Sequence, residues 1–234
     1  MDLVFFDLDG TLLNKESQIT PFTRETLGLM QKKGVAYTVA TGRTMLSAQH
    51  ILDGHDFTLP HIYNNGVTVY NPTDQGLALN NLLAHSELDC IVECAINAGI
   101  APFVNTVTVS GTQQHHDIYH PHTQHEVEKE LVEKYFSRTK ARLLPLNELP
   151  SHANVTNISM IGEAATIYSI WQHLNTIDSL VAYSGPATQG KQYSWIDVHH
   201  KLANKGSAVD ALKQQLGATN VVCFGDSDND LSMF

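Results

Sequence analysis

The chain has 234 residues, 42% of them hydrophobic and only 16% charged, which suffices for one large domain or two modest ones with a buried core. Acidic residues outnumber basic ones 24 to 14, and the formal net charge of −10 disfavours polyanionic partners, nucleic acid above all. No apolar run reaches membrane-spanning length, and the amino terminus lacks a basic flank and is broken by Asp7 and Asp9, so neither a signal peptide nor a membrane partner is expected and the cytoplasm is the expected compartment.

The first third alternates strand and helix as a parallel, doubly wound sheet requires. Residues 3–6 form a short apolar strand, which leaves Asp7 at a strand's carboxyl end. A helix follows: Thr20 suits the N-cap, Pro21 the first turn, Phe22, Leu27 and Met30 recur on a helical period, and Gly34 fits just past the end. A second strand, 35–40, runs into Thr41-Gly42-Arg43 and then a helix to Leu52. Residues 61–63 and 67–70 read as short strands around Asn64-Asn65-Gly66, a step that favours a tight hairpin.

From about Leu83 to about Pro186 the pattern changes, with helices near 86–98, 125–136 and 164–174 and strands near 104–109, 157–161 and 180–183. The expected organisation is a discontinuous core domain, 1–82 with 187–234, carrying an inserted α+β cap at 83–186. The chain is expected to return to the core with a strand at 193–198, an amphipathic helix at 205–216 and a strand at 221–224, which puts Asp226 at a third strand end. Cys90 and Cys94 lie on one helical face and, with no second ligand pair, read as buried thiols with Cys223. The histidines between His115 and His125 read as solvated cap surface, since no carboxylate or cysteine spacing completes a metal site there.

The chemistry concentrates in Asp7-Leu8-Asp9-Gly10-Thr11, directly after the first strand. Two carboxylates at that spacing can serve one site while Gly10 allows a tight turn, and phosphoryl transfer uses such a pair as nucleophile and as acid then base. Asp and Gly also make ordinary loops after strands, and Thr41 and Lys205 taken singly fit a helix cap and a solvated helix start.

Read jointly and in order, Asp7 and Asp9, Thr41 in Thr41-Gly42-Arg43, Lys205 in Asn204-Lys205-Gly206, and Gly225-Asp226-Ser227-Asp228-Asn229-Asp230 make the chain resemble the haloacid dehalogenase superfamily. The position of the insert resembles the larger α/β cap of its Cof-type sugar-phosphatase branch. That resemblance implies a Rossmann-like α/β core with a cap. It also implies a phosphoric monoester hydrolase in which Asp7 is the nucleophile and Asp9 the general acid. Thr41, Gly42 and Lys205 would bind phosphate, and magnesium would be held by Asp7, the Asp9 carbonyl and Asp226, an oxygen-only set suited to that ion. Asp230 and Asn229 would support the site from behind. Beside that resemblance, Arg43 can reach a substrate anion and Asn65 can face the cleft, and a helix-surface arginine and a turn asparagine explain them equally well.

The expected partner is a small phosphorylated metabolite, which a few donors and a metal in one cleft can hold despite the global charge. A phosphosugar mutase and a catalytically impaired phosphometabolite-binding protein remain the alternatives. Relatives of this type continue past the last motif with further strand and helix, whereas these residues stop four after Asp230, so an exposed sheet edge and reduced stability are expected.

Overall fold

A computed structural model describes residues 1–110, 113–136 and 141–234. Within it the chain divides into two units, Met1–Asn80 with Ala203–Phe234, and Asn81–Leu202.

The first unit begins with β1, Asp2–Phe6, followed by α1, Pro21–Lys32. Thr20 caps that helix by accepting the Thr23 N–H, and Pro21 occupies the first turn, where a missing N–H costs nothing. Strand β2, Ala36–Val39, and helix α2, Met45–Leu52, come next, and α2 is capped by Thr44. Strands β3, His61–Tyr63, β4, Thr68–Asn71, and β5, Gly76–Leu79, make an antiparallel meander. The β3–β4 connection holds Asn64, Asn65 and Gly66 all at positive φ, a conformation that Asn and Gly tolerate best, and all three are buried. Gly66 is required for a second reason: a Cβ there would press on the Asn204 carbonyl oxygen at 2.8 Å.

The second unit opens with α3, His85–Asn97. It continues through β6, Phe103–Ser110, β7, Gln113–His120, α4, Glu126–Glu130, β8, Arg142–Pro145, β9, Val155–Glu163, α5, Ala164–Leu174, and β10, Leu180–Pro186, to β11, Tyr193–His200. Its sheet has the order β10-β11-β9-β6-β7-β8, antiparallel except for the β7–β8 pair. One face, with Val104, Ile158, Met160, Ile196 and Val198, packs under Ile91 of α3 and Ile167 and Ile170 of α5. Phe103 and Ile118 on the other face meet Phe136 and Leu131, just beyond α4.

One expectation is corrected here. The 193–198 strand, assigned by sequence to the core domain, is β11 of the second unit, where Ile196 faces Met160 and Ser184 across two ladders and lies fully buried. Its period-2 pattern specifies a strand but not which sheet receives it. Much of the histidine-rich stretch is strand β7, held by backbone pairing to β6 and β8, with His115 exposed and His116 and His120 partly so.

The chain re-enters the first unit with α6, Lys205–Gln215, and ends with β12, Asn220–Phe224, and a short tight helical turn, Asp228–Met233. Strands β12, β1 and β2 form a parallel sheet in that order, with β1 central. Val4, Tyr37 and Val39 on one face bury Leu27 of α1 and Met45, Ala48 and Leu52 of α2, whereas Leu3 and Phe5 on the other bury Val209 and Leu212 of α6. Helices on both faces of a parallel sheet are the doubly wound arrangement, which gathers the carboxyl ends of its strands at one edge. Val222 and Phe224 on β12 stay half exposed, and Phe224 stacks on Phe6 at 5.3 Å between ring centroids.

Candidate active site

Asp7 follows the last residue of β1 and is still tied to the sheet, its N–H donating to the Phe224 carbonyl at 2.9 Å. The chain then closes into one wide turn, with Leu12 N–H donating to the Asp7 carbonyl at 3.2 Å and Leu13 N–H to the Leu8 carbonyl at 2.9 Å. Leu8 and Leu12 anchor it in the core beside Val4. Gly10 sits at φ +73°, and a Cβ on it would overlap the Asp226 carboxyl group. Gly10 therefore allows both the turn and the close approach of the Asp226 loop.

Asn204 caps α6 through its side chain, which accepts the Ser207 N–H at 2.8 Å, and so fixes Lys205 in the first turn. The Lys205 ammonium, 1% exposed, donates to Asp7 Oδ1 and to Asp230 Oδ1, both at 2.6 Å. Removal from water pushes the Asp7 carboxyl up to about 6 and outweighs the charge and hydrogen bond of Lys205, which act the other way. A further cation beside Asp7 would offset that penalty.

Asp230 uses its other oxygen, Oδ2, to accept the backbone N–H groups of Asp226 and Ser227, both at 3.0 Å. This holds the loop after β12 in a fixed curve with the Asp226 side chain toward Gly10. One oxygen each from Asp7, Asp226 and Asp230 lies within 4.8 Å of the others, the one such group of three among the described residues. An all-oxygen, anionic donor set of this kind fits a hard divalent cation. Asp230 already spends its oxygens on Lys205 and two amides, which leaves Asp7 and Asp226 as the more available donors.

At the end of β2, Thr41 is buried and its hydroxyl accepts the Arg43 N–H at 3.1 Å. The helix that follows is capped by Thr44 and starts at Met45, so Thr41 and Gly42 lie in a loop ahead of it rather than at its first turn, as the sequence suggests. Arg43 reaches across to Asp9, with Nε donating to Oδ2 and Nη2 to Oδ1, both at 2.6 Å. Asn65 accepts from the Asn229 amide at 3.0 Å, and a Cβ on Gly42 would stand 3.1 and 3.2 Å from those two side chains.

The structure thus brings Asp7, Lys205, Asp226 and Asp230 together, with Asp9 and Arg43 paired beside them and Gly42, Asn65 and Asn229 in mutual contact. Sequence reasoning passed over Ser17, whose hydroxyl accepts from Arg43 Nη2 at 3.0 Å. The only local signal was Asn14, whose side chain accepts the Glu16 and Gln18 N–H groups at 3.1 and 2.9 Å and builds the loop that presents Ser17. Among the described residues no helix is long and apolar enough to cross a membrane.

Comparison with known proteins follows the same lines. An HMP-PP phosphatase of Enterobacter sp. strain 638 is 26% identical over 243 residues, covering 99% of this chain and 79% of its own length. The solved structure of a haloacid dehalogenase-like hydrolase from Bacteroides thetaiotaomicron matches 99% of this chain and 84% of its own, with a TM-score of 0.74 at 20% identity. That of a subclass IIB sugar phosphatase of the same superfamily matches 100% and 84%, with a TM-score of 0.75 at 20% identity. These likenesses establish the shared fold, and the family model for haloacid dehalogenase-like hydrolases matches residues 4–234. With the match running through both units and every strand end at the Asp7 site, the chain belongs to the haloacid dehalogenase-like hydrolase family.

Proposed function

We propose that this hydrolase is a magnesium-dependent phosphatase acting on a small phosphorylated metabolite, a sugar phosphate in the first instance, through an aspartyl-phosphate on Asp7. The observation that carries the reading is the buried Lys205 ammonium shared by Asp7 and Asp230, with Asp226 at the same place. A buried carboxylate that faces an ammonium on one side and a candidate cation site on the other is suited to attack phosphorus.

In the first step an Asp7 oxygen donates its electron pair to phosphorus while the bond from phosphorus to the ester oxygen breaks. That oxygen takes its pair and a proton from Asp9, leaving as the alcohol. In the second step Asp9, now a carboxylate, takes a proton from water as the water oxygen attacks phosphorus. The bond between Asp7 and phosphorus breaks, its pair returns to the carboxylate, and inorganic phosphate leaves. Lys205 faces the phosphoryl oxygens, as do the Thr41 hydroxyl and the Gly42 N–H, and Asp230 holds Lys205 in place. Magnesium, held by Asp7, the Asp9 carbonyl and Asp226, would neutralise the charge of the incoming dianion.

A relative named as an HMP-PP phosphatase and a structural neighbour that is a sugar phosphatase support a small phosphorylated substrate. The test is release of inorganic phosphate from p-nitrophenyl phosphate and a panel of sugar phosphates, with magnesium or chelator, by this chain and by Asp7→Asn. Turnover that needs both magnesium and Asp7 is expected. A folded, magnesium-supplied chain that releases no phosphate from any of them would overturn the reading, and stimulation by a sugar bisphosphate would favour a mutase instead.

A further inference from the structure

Asp7 and Asp9 are two residues apart in sequence, yet their side chains are handled in opposite ways. Asp7 is buried on Lys205 among the clustered carboxylates, whereas the Asp9 side chain is 55% exposed and stands outside the Asp7, Asp226 and Asp230 group. What holds it there is Arg43, through two parallel contacts of 2.6 Å. A guanidinium paired with a carboxylate in this forked way fixes the carboxylate plane as well as its distance, which a single ammonium cannot do.

Arg43 is itself restrained on three sides. Its N–H donates to Thr41 Oγ1 at 3.1 Å, its carbonyl accepts the Asn64 N–H at 2.9 Å, and its Nη2 donates to Ser17 Oγ at 3.0 Å. The Thr41-Gly42-Arg43 loop, the Asn64 turn and the Ser17 loop therefore converge on one guanidinium, and through it on Asp9. Without that grip, a short, half-exposed carboxylate repelled by three neighbouring carboxylates would turn into solvent and no longer face the oxygen it must serve.

We propose that Arg43 is a positioning residue for Asp9, not a substrate ligand: it fixes the plane and distance of the Asp9 carboxyl and so keeps it aimed for proton transfer. This rests on the phosphatase reading above. It assigns Arg43 a role distinct from the substrate contact that its place in the motif suggests, and it gives Ser17 an indirect part in the same function.

The two roles separate by leaving group. A p-nitrophenolate leaves without help, whereas the alkoxide of an alkyl phosphate needs a proton as it departs. The specificity constant kcat/KM reports steps up to formation of the aspartyl-phosphate, so it isolates the first proton transfer. We would measure kcat/KM for p-nitrophenyl phosphate and for glycerol 3-phosphate with the unaltered chain, Arg43→Gln, Arg43→Lys, Ser17→Ala and Asp9→Asn, recording Tm for each. Arg43→Gln is expected to lower the alkyl value on the order of 100-fold and the aryl value less than about threefold, copying Asp9→Asn, and the double variant should add little to either single loss. Arg43→Lys should recover part of the alkyl activity and Ser17→Ala should lose a smaller part. Equal losses on both substrates with a raised KM would overturn the assignment in favour of a substrate contact, as would unchanged alkyl activity in Arg43→Gln. If the unaltered chain turns over neither of these nor any sugar phosphate of the panel above, the phosphatase reading falls and this one with it.

Discussion

Lys205 and Asp230 stand 25 positions apart and meet at 2.6 Å with the lysine 1% and the aspartate 0% exposed, so that one buried ammonium is bound between two buried carboxylates, Asp230 and Asp7. Breaking such a group from the cationic side leaves two uncompensated charges. Lys205→Met is expected to destabilise the protein by about 3–5 kcal/mol, and adding Asp230→Asn should return part of that loss. Urea denaturation of the two single variants and the double variant gives the coupling directly. Additive losses would mean that the contact carries little energy.

Gly10 tests the loop geometry. Alanine there meets a φ of +73° and places a methyl group on the Asp226 carboxyl. The backbone strain alone costs about 1–2 kcal/mol. The larger effect is expected on metal: Asp226 must retreat from Asp7, and magnesium affinity measured by calorimetry should fall at least about tenfold, beyond what the strain explains. Wild-type affinity in Gly10→Ala would show that Asp226 does not need its present position.

Metal binding should also be visible in stability. A cation held by Asp7 and Asp226 binds the folded chain alone, so magnesium at 100 times its dissociation constant adds about 2.7 kcal/mol, reversed by chelator. Asp226→Asn should abolish the gain while changing Tm in chelator little, because its carboxylate is exposed and accepts from the adjacent Ser227 hydroxyl at a long 3.2 Å. A melting curve indifferent to magnesium in the unaltered chain would count against the metal site.

His61 supplies a pH dependence away from the site. Burial lowers its imidazole to about 4, opposed only by its contact with the Phe57 carbonyl. With Nε2–H donating to Phe57 O at 3.3 Å, Nδ1 accepts from the Tyr63 hydroxyl at 2.9 Å, an arrangement that needs the neutral ring. Above pH 6.5 the ring is neutral folded or unfolded and contributes no slope. As pH falls from 6.5 towards 4 only the unfolded chain gains the proton, so about 3 kcal/mol of stability is lost across that window. His61→Gln removes this titration, and the difference between the two stability profiles should flatten outside the window. Parallel profiles would mean that the ring protonates while folded.

The three strand ends of the first unit were legible because each is written locally. An apolar run ending in an aspartate, a strand running into Thr41-Gly42-Arg43, and residues 221–224 followed by Gly225-Asp226 each declare their own carboxyl end. Which sheet receives a strand is not local, and this is why Tyr193–His200 was assigned to the core although it pairs with β9 and β10. A polar strand such as Gln113–His120 was equally illegible, since its pairing uses backbone groups that every residue carries.

By itself, then, the sequence determined the chemistry on offer: two carboxylates after the first strand, a lysine at a helix start and an aspartate cluster after the last strand, in the order that resembles a haloacid dehalogenase. Tertiary structure decided how that chemistry is divided. Lys205 joins Asp7 to Asp230 across 198 and 25 positions, and Arg43 draws Asp9 away from the carboxylates across 34. Charge pairing acts through space, and the energy that separates these two aspartates depends on which cation the fold brings within 3 Å and on how much water remains there.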